Sequence, residues 1–182
     1  MPHGKRAFEH FNDNVIQELS LLDPESFLYV GWRNGSNLWW KHHFSDRLNI
    51  KRVGIIDIYE PNYQQAKLTF PDCVSIHGDV REIEKHVFPG EYDIIFWDHG
   101  PEHVPTNDLV ECTPRLFAYA GKALVYCCPW GKWPQGPEGG NAAEVHHDVD
   151  NKTLVDLGMK VTAFGSPGQD NNGELVAVMV HP

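Results

Sequence analysis

The chain has 182 residues, an apolar fraction of 41% and a formal net charge of -10, values that suit one globular domain with a substantial core. The negative charge argues against a general nucleic-acid-binding protein, which needs a basic face. No apolar run approaches the roughly 20 residues that span a bilayer, and the polar start MPHGKRAFEHFNDN lacks the apolar core of a secretory signal. We expect one cytoplasmic domain over residues 1–182, with a helical extension at 1–24 and no membrane contact.

The first half of the chain predicts three strands separated by helices. Apolar side chains recur at helical spacing from Phe8 to Leu19, and Asp23-Pro24 ends that helix. The runs FLYVG, RVGIIDIYE and CVSIHGD are apolar and β-branched, which is typical of buried strands. We expect strands at 27–31, 52–60 and 73–79, and helices at 4–20, 36–48 and 61–68.

The second half continues the alternation and ends on two strands in succession. The segment 129–141 is rich in glycine and proline and predicts a loop. A helix at about 142–157 should follow and be capped by Gly158. A helix is also expected at 106–119, although it contains Pro114. The other expected elements are a short helix in VREIEKHVF and the strands at 92–98, 122–128, 160–165 and 174–180.

The order of these elements predicts the sheet. Strands that alternate with helices form right-handed β-α-β units, which give a parallel sheet with helices on both faces. The final strand has no crossover helix before it, so it should enter the sheet antiparallel. We therefore predict a three-layer, doubly wound α/β fold with a mostly parallel seven-stranded sheet and an antiparallel last strand.

This fold indicates where a ligand would bind. In an open parallel sheet, ligands lie outside the carboxyl ends of the strands. The turn between Gly31 and Gly35 is one such place: its amides would point outward at a helix N-terminus, which favours carboxylates and other anions. A plain strand-to-helix turn without a ligand is the alternative. The segments at the other strand ends are 57–60, 78–79, 98–103 and 129–133.

Taken in order, these segments resemble the class I S-adenosylmethionine-dependent methyltransferases. Gly31 and Gly35 match the first and third glycines of the family's Gly-x-Gly-x-Gly motif. IYEPN supplies an acidic residue after the second strand, and His77-Gly78-Asp79-Val80 is similar to the segment after the third. WDHGPEHVP resembles the family's Glu-His-Val signature at Glu102-His103-Val104, and AGKALVYCCPWG resembles its fifth strand.

The resemblance implies S-adenosylmethionine as the cofactor. It implies that Glu60, or its nearest rival Asp57, holds the ribose hydroxyls and that Asp79 faces the adenine amino group. Two positions depart from the family pattern: Arg33 replaces the middle glycine, and Tyr29 stands where an acidic residue is usual. The residues expected to bind the cofactor are Gly31, Gly35, Asp57, Glu60, Gly78, Asp79 and Asp98.

The acceptor is expected to lie beside the segment after the fourth strand. His99, Glu102 and His103 are the catalytic candidates, since imidazole and carboxyl groups can take a proton from a reacting hydroxyl or amine. Aromatic side chains on a proline-stiffened loop often form a substrate wall. The candidates for substrate binding are Trp130, Trp133 and His146.

A metal site is the alternative use of these histidines. His99 to His103 match the His-x-x-Glu-His spacing of some zinc proteases, but Gly100 and Pro101 should break the helix which that chemistry needs. A site that joins Asp98, His99 or His103 to His146, His147 or Asp148 stays open. We expect no metal ion.

The cysteines indicate a reducing environment. None of the four forms a Cys-x-x-Cys pair, and two of them are adjacent inside an apolar run. We expect buried, reduced thiols and no zinc site built from them. The four are Cys73, Cys112, Cys127 and Cys128.

Methyl transfer to a small-molecule acceptor is the function that the sequence favours, without nucleic acid and with a homodimer as a possible assembly. A catalytically degenerate relative that binds a nucleoside or a protein partner is the alternative. An oxidoreductase that uses NAD is less favoured, because it requires Gly-x-Gly-x-x-Gly and the spacing of Gly31 and Gly35 does not supply it.

Overall fold

A seven-stranded sheet with the strand order β3-β2-β1-β4-β5-β7-β6 forms the centre of the protein. The computed structural model describes residues 14–32, 46–131, 136–137, 141–143, 145–164 and 173–182. The strands are β1 (Ser26–Val30), β2 (Arg52–Asp57), β3 (Val74–His77), β4 (Tyr92–Asp98), β5 (Ala120–Pro129), β6 (Lys160–Phe164) and β7 (Glu174–Val180). The first five pair in parallel, and β7 runs antiparallel to both β5 and β6. The predicted fold class is confirmed.

The central strands are buried on both faces, as their continuous apolar runs predict. Alternate residues of a strand point to opposite faces, so Leu28 and Val30 join one apolar cluster while Phe27 and Tyr29 join the other. β3 at the edge of the sheet is only partly covered. Burial on both faces explains why β1, β4 and β5 read as apolar without a polar alternation.

Helices cover both faces of the sheet. Residues 14–20 are helical and bury Val15, Ile16 and Leu19, as the apolar spacing predicts. The predicted helix at 106–119 is one continuous helix with Pro114 inside it. The other described helices are Asp46–Leu48, Glu60–Thr69 and Asn151–Asp156, with 3₁₀ helices at Val80–Lys85 and Pro101–His103.

The prediction of a helix at 142–157 is wrong over its first half, because helical structure begins only at Asn151. Asp150 is the N-cap, and its carboxylate accepts a hydrogen bond of 2.7 Å from the Thr153 amide. The preceding residues bond elsewhere: Gly131 donates to the Val149 carbonyl over 3.0 Å. Gly158 follows the helix with a φ of 87°, so the predicted glycine stop is confirmed.

Smaller differences concern strand ends and segments outside the described residues. The second strand ends at Asp57 and not at residue 60, because Glu60 already begins the next helix. All four cysteines are free thiols, as expected, but only Cys112, Cys127 and Cys128 are buried; the expectation of burial is wrong for Cys73, which is partly exposed. In the described parts of the chain, no helix has the length and apolar character to cross a membrane. The predictions for residues 4–13, 36–45 and 132–135 lie outside the described residues.

Candidate functional site

The turns after the parallel strands lie together at one edge of the sheet. The backbone hydrogen bonds between neighbouring parallel strands extend into the turns that follow them. Gly31, just after β1, donates to the carbonyl of Ile56 in β2 over 3.0 Å. Gly78 donates to the Asp57 carbonyl over 3.0 Å. His99 likewise donates to Cys127, over 2.8 Å. The sequence-predicted residues after β1 to β4 therefore share this edge.

Gly31 adopts a conformation that suits glycine. Its φ is 81°, in the left-handed region where a side chain is strained. A Cβ atom at this position would lie 3.4 Å from the backbone oxygen of Asp98 and 3.9 Å from the Trp97 indole. The turn after β1 thus passes close to the end of β4. Arg33 and Gly35 lie outside the described residues.

The two acidic residues after β2 face different surroundings. Asp57 is 6% exposed, and its carboxylate accepts bonds from the Tyr59 amide at 2.7 Å and the Asn62 side chain at 3.4 Å. Glu60 has a side chain that is 51% exposed and lies 2.8 Å from Nδ1 of His77. Asp57 is therefore the buried carboxylate at the strand tip, and Glu60 turns toward the edge strand β3.

Asp79 is bound by a neighbouring arginine. Its two oxygens accept bonds of 3.0 and 2.6 Å from the guanidinium of Arg81, whose Nη1 also lies 3.0 Å from Asp108. Burial by itself raises the pKa of Asp79, but the hydrogen bonds and charge of Arg81 outweigh it and lower that pKa. Gly78 packs against His86, whose ring leaves no room for a Cβ atom at Gly78.

Further along the edge lie three carboxylates, each with an oxygen that accepts no hydrogen bond from a described residue. Oδ2 of Asp98 accepts a bond of 2.8 Å from the Tyr29 hydroxyl, whereas Oδ1 finds no donor in the described parts of the chain. Neither oxygen of Glu102, which is 2% exposed, accepts a hydrogen bond from a described residue, and the same holds for Oε2 of Glu174. Burial raises the pKa of Asp98 and of Glu174. This arrangement favours a cationic ligand.

His99 lies among these carboxylates. Its φ is 47°, and its half-exposed ring places Nδ1 3.5 Å from Oε1 of Glu102. Burial lowers the pKa of His99, but the adjacent carboxylate of Glu102 and the negative charge of Asp98 outweigh it and raise that pKa. The protonated imidazole is thereby favoured, so this ring is a hydrogen-bond donor near neutral pH.

The structure brings His146 to the Glu102-His103 pair. Nε2 of His103 lies 3.8 Å from Oε1 of Glu102, and the rings of His103 and His146 meet edge to face with centroids 4.6 Å apart. Only the 3₁₀ turn Pro101–His103 forms here, so the expected absence of a protease-type helix is confirmed. His147 takes part through its backbone amide, which donates to the Glu102 carbonyl over 2.6 Å.

Of the two tryptophan candidates for substrate binding, only Trp130 lies in the described part of the chain. Trp130 is partly buried and packs against the core, and its amide donates to the Gly173 carbonyl over 2.9 Å. Trp133 lies outside the described residues. The sequence reasoning missed Glu174, which reaches the site because β7 pairs antiparallel with β5 and sets Glu174 opposite Pro129. An isolated glutamate before an apolar strand carries no local signal of that position.

The comparisons with solved structures bear on this fold. The chain is similar to magnesium protoporphyrin IX methyltransferase (ChlM) from Synechocystis PCC 6803 with bound SAM, at 16% identity and a TM-score of 0.57, over 97% of this chain and 81% of that one. It is similar to the N-methyltransferase NodS from Bradyrhizobium japonicum WM9, at 13% identity and a TM-score of 0.62, over 98% of both chains.

A third similar structure is that of CalS10, an amino pentose methyltransferase from Micromonospora echinaspora with bound SAM. Its identity is 13% and its TM-score is 0.64, over 94% of this chain and 91% of that one. The fold is that of the class I methyltransferases. Neither a protein-family model nor a curated protein matches the sequence. The likeness is therefore one of structure, and a methyltransferase fold by itself hosts many activities.

Proposed function

We propose that this chain transfers a methyl group from S-adenosylmethionine to a small-molecule acceptor. The observation that carries the proposal is the contact between the Gly31 turn and the end of β4, where the buried Oδ1 of Asp98 accepts no hydrogen bond from a described residue. S-adenosylmethionine carries positive charge on its sulfur and on its amino group. A buried carboxylate beside a glycine turn at the carboxyl edge of a methyltransferase fold suits such a ligand.

The residues of this edge fit the cofactor in distinct ways. Asp57, the buried carboxylate at the tip of β2, is the better placed acid for the ribose hydroxyls, because Glu60 is half exposed and paired with His77. Asp98 would hold the amino group of the methionine part. Gly31 would let the backbone approach the ligand, and Gly35 stays a prediction. Asp79 and Gly78 remain candidates for the adenine side, although Asp79 is also bound by Arg81.

S-adenosylmethionine supplies a methyl group on a positively charged sulfur that is open to direct displacement. The chain's contribution is chiefly to align the acceptor with that carbon, because positioning supplies much of the rate of such reactions. His99, Glu102 and His103 would face the acceptor. The carboxylate of Glu102 orients the ring of His99 at 3.5 Å, and the imidazolium can donate a hydrogen bond to an acceptor heteroatom.

Two of the similar structures bear on the class of acceptor. The similar structures include an N-methyltransferase and an amino pentose methyltransferase, both of which the chain covers almost completely. Trp130 and His146 remain candidates for binding the acceptor, and a site shared across a homodimer remains a prediction.

Titration calorimetry with S-adenosylmethionine, S-adenosylhomocysteine and NAD tests the proposal. We expect binding of the first two and none of NAD. Binding of NAD alone would favour an oxidoreductase, and binding of none of the three would favour a protein that docks a partner. A screen of acceptors that couples S-adenosylhomocysteine production to homocysteine release then identifies the substrate.

A further inference from the structure

We propose that Glu102, His103 and His146 form a binding site for a divalent transition-metal ion. One potential ligand atom from each side chain lies within 4.8 Å of the other two. Ligands of one metal ion at about 2.0–2.2 Å from it lie roughly 3–3.5 Å apart. One pair, Nε2 of His103 and Oε1 of Glu102, lies 3.8 Å apart. Side-chain adjustments of up to about 1–2 Å would therefore close the site.

The carboxylate of Glu102 is the second, independent observation. It is 2% exposed, and in the described part of the chain no donor forms a hydrogen bond with either of its oxygens. Its ionic neighbours are the imidazoles of His99 and His103, at 3.5 and 3.8 Å, and a bound cation would supply the direct contact that neither ring makes. The carboxylates of Asp98 and Glu174 also lie nearby and would offset the positive charge of His99.

The backbone prearranges the three ligands. Glu102 and His103 share the 3₁₀ turn Pro101–His103. His146 belongs to the segment 145–149, in which the amide of His147 donates a hydrogen bond to the Glu102 carbonyl. At the other end of the segment 145–149, the Val149 carbonyl accepts a hydrogen bond from the Gly131 amide. His146 therefore reaches the turn as part of a doubly anchored segment.

The ligand set indicates the class of metal. Two imidazoles favour zinc, iron and related transition metals over magnesium or calcium, which prefer oxygen ligands. Three protein ligands leave at least one open coordination position, as in catalytic zinc sites and unlike structural ones. On the proposed function, that position would take an oxygen or nitrogen atom of the acceptor. Metal binding itself can be tested without any methyl donor.

Calorimetric titration of chelator-treated protein with Zn²⁺ and Mn²⁺, and with Mg²⁺ for comparison, tests the site. We expect one equivalent of a transition metal to bind, and Glu102→Gln and His146→Ala to weaken it at least about tenfold, since even supporting residues of metal sites cost 10–100-fold. The matched control is His147→Ala, which removes a neighbouring imidazole and keeps the backbone bond. It should bind as the wild type does.

Three results would overturn the inference: no binding by the wild-type protein, unchanged affinity in both ligand variants, or equal loss in His147→Ala. Circular dichroism checks that each variant is folded. The Co²⁺ absorption spectrum of the wild type gives a readout that needs no variant, and thiolate-to-metal bands in it would assign the ion to the cysteines instead. Binding of S-adenosylmethionine is measured separately, so failure of the metal site and failure of the methyl-transfer proposal are distinguishable.

Discussion

The hydroxyl of Tyr29 on β1 donates a hydrogen bond of 2.8 Å to Oδ2 of Asp98 on the neighbouring strand β4. Both side chains are buried. In the methyltransferases that the sequence resembles, an acidic residue is usual at the position of Tyr29. In this chain Tyr29 stands at that position and bonds to the carboxylate of Asp98 on the adjacent strand.

We expect Tyr29→Phe to lower the free energy of unfolding by about 1.5–3 kcal/mol, because it removes a hydrogen bond to a charged, buried group. Urea denaturation measures the change. Tyr126→Phe is the matched control: it removes a buried bond of 2.9 Å between two hydroxyls, with Thr113, and should cost about 0.5–1.5 kcal/mol. Equal losses in the two variants would show that Asp98 is neutral in the folded protein.

The affinity for S-adenosylmethionine can distinguish the roles of Asp57 and Glu60, the two acidic residues after β2. Asp57→Asn should weaken the binding of S-adenosylmethionine about 10–100-fold, which corresponds to a lost charged hydrogen bond. Glu60→Gln should change it less than about threefold, since its side chain is half exposed and turned toward His77. Both substitutions keep size and shape. The reverse order of effects would assign the ribose to Glu60.

Gly100 is where the packing next to the site is tightest. A Cβ atom there would lie 1.7 Å from Nε1 of Trp97, so Gly100→Ala should cost at least about 1–3 kcal/mol of stability through overpacking. Gly136→Ala is the control, because no atom of a described residue lies within 4 Å of its Cβ position. Thermal unfolding compares the two, and a Gly100→Ala protein as stable as the wild type would mean that the indole can move away at little cost.

Acid stability should depend on Asp79. Because Arg81 lowers the pKa of Asp79 in the folded protein, the pair stabilises the fold above the unfolded pKa of about 3.9, and this stabilisation is lost as pH falls through the folded pKa. Asp79→Asn should therefore flatten the decline of unfolding free energy between about pH 5 and 2.

Asp156→Asn is the control for this pH series. Its ion pair with Lys152 lies on the surface, and such pairs contribute little to stability. Urea unfolding at several pH values gives the profiles. A wild-type slope retained in Asp79→Asn, or lost equally in Asp156→Asn, would contradict the role of the Asp79–Arg81 pair.

The regular elements were predictable because burial leaves a periodic mark on the chain. Strand β4 was predicted with both ends correct, and so was the helix Thr106–Tyr119, since each carries the apolar pattern of its own packing environment. The error at 142–157 has the opposite cause. The segment before Asn151 is held by backbone bonds to Gly131 and Glu102, and no local pattern encodes partners so distant in sequence.

The amino-acid sequence alone was enough for the strand alternation, the antiparallel end of the sheet and the shared edge of the turns after β1 to β4, because all three follow from local hydrophobic pattern and chain connectivity. The meeting of His146 with Glu102 and His103, the support of Asp98 by Tyr29 and the arrival of Glu174 came from the folded chain. These contacts join residues on different strands and loops, and their distances depend on strand register and loop path, which local composition does not encode.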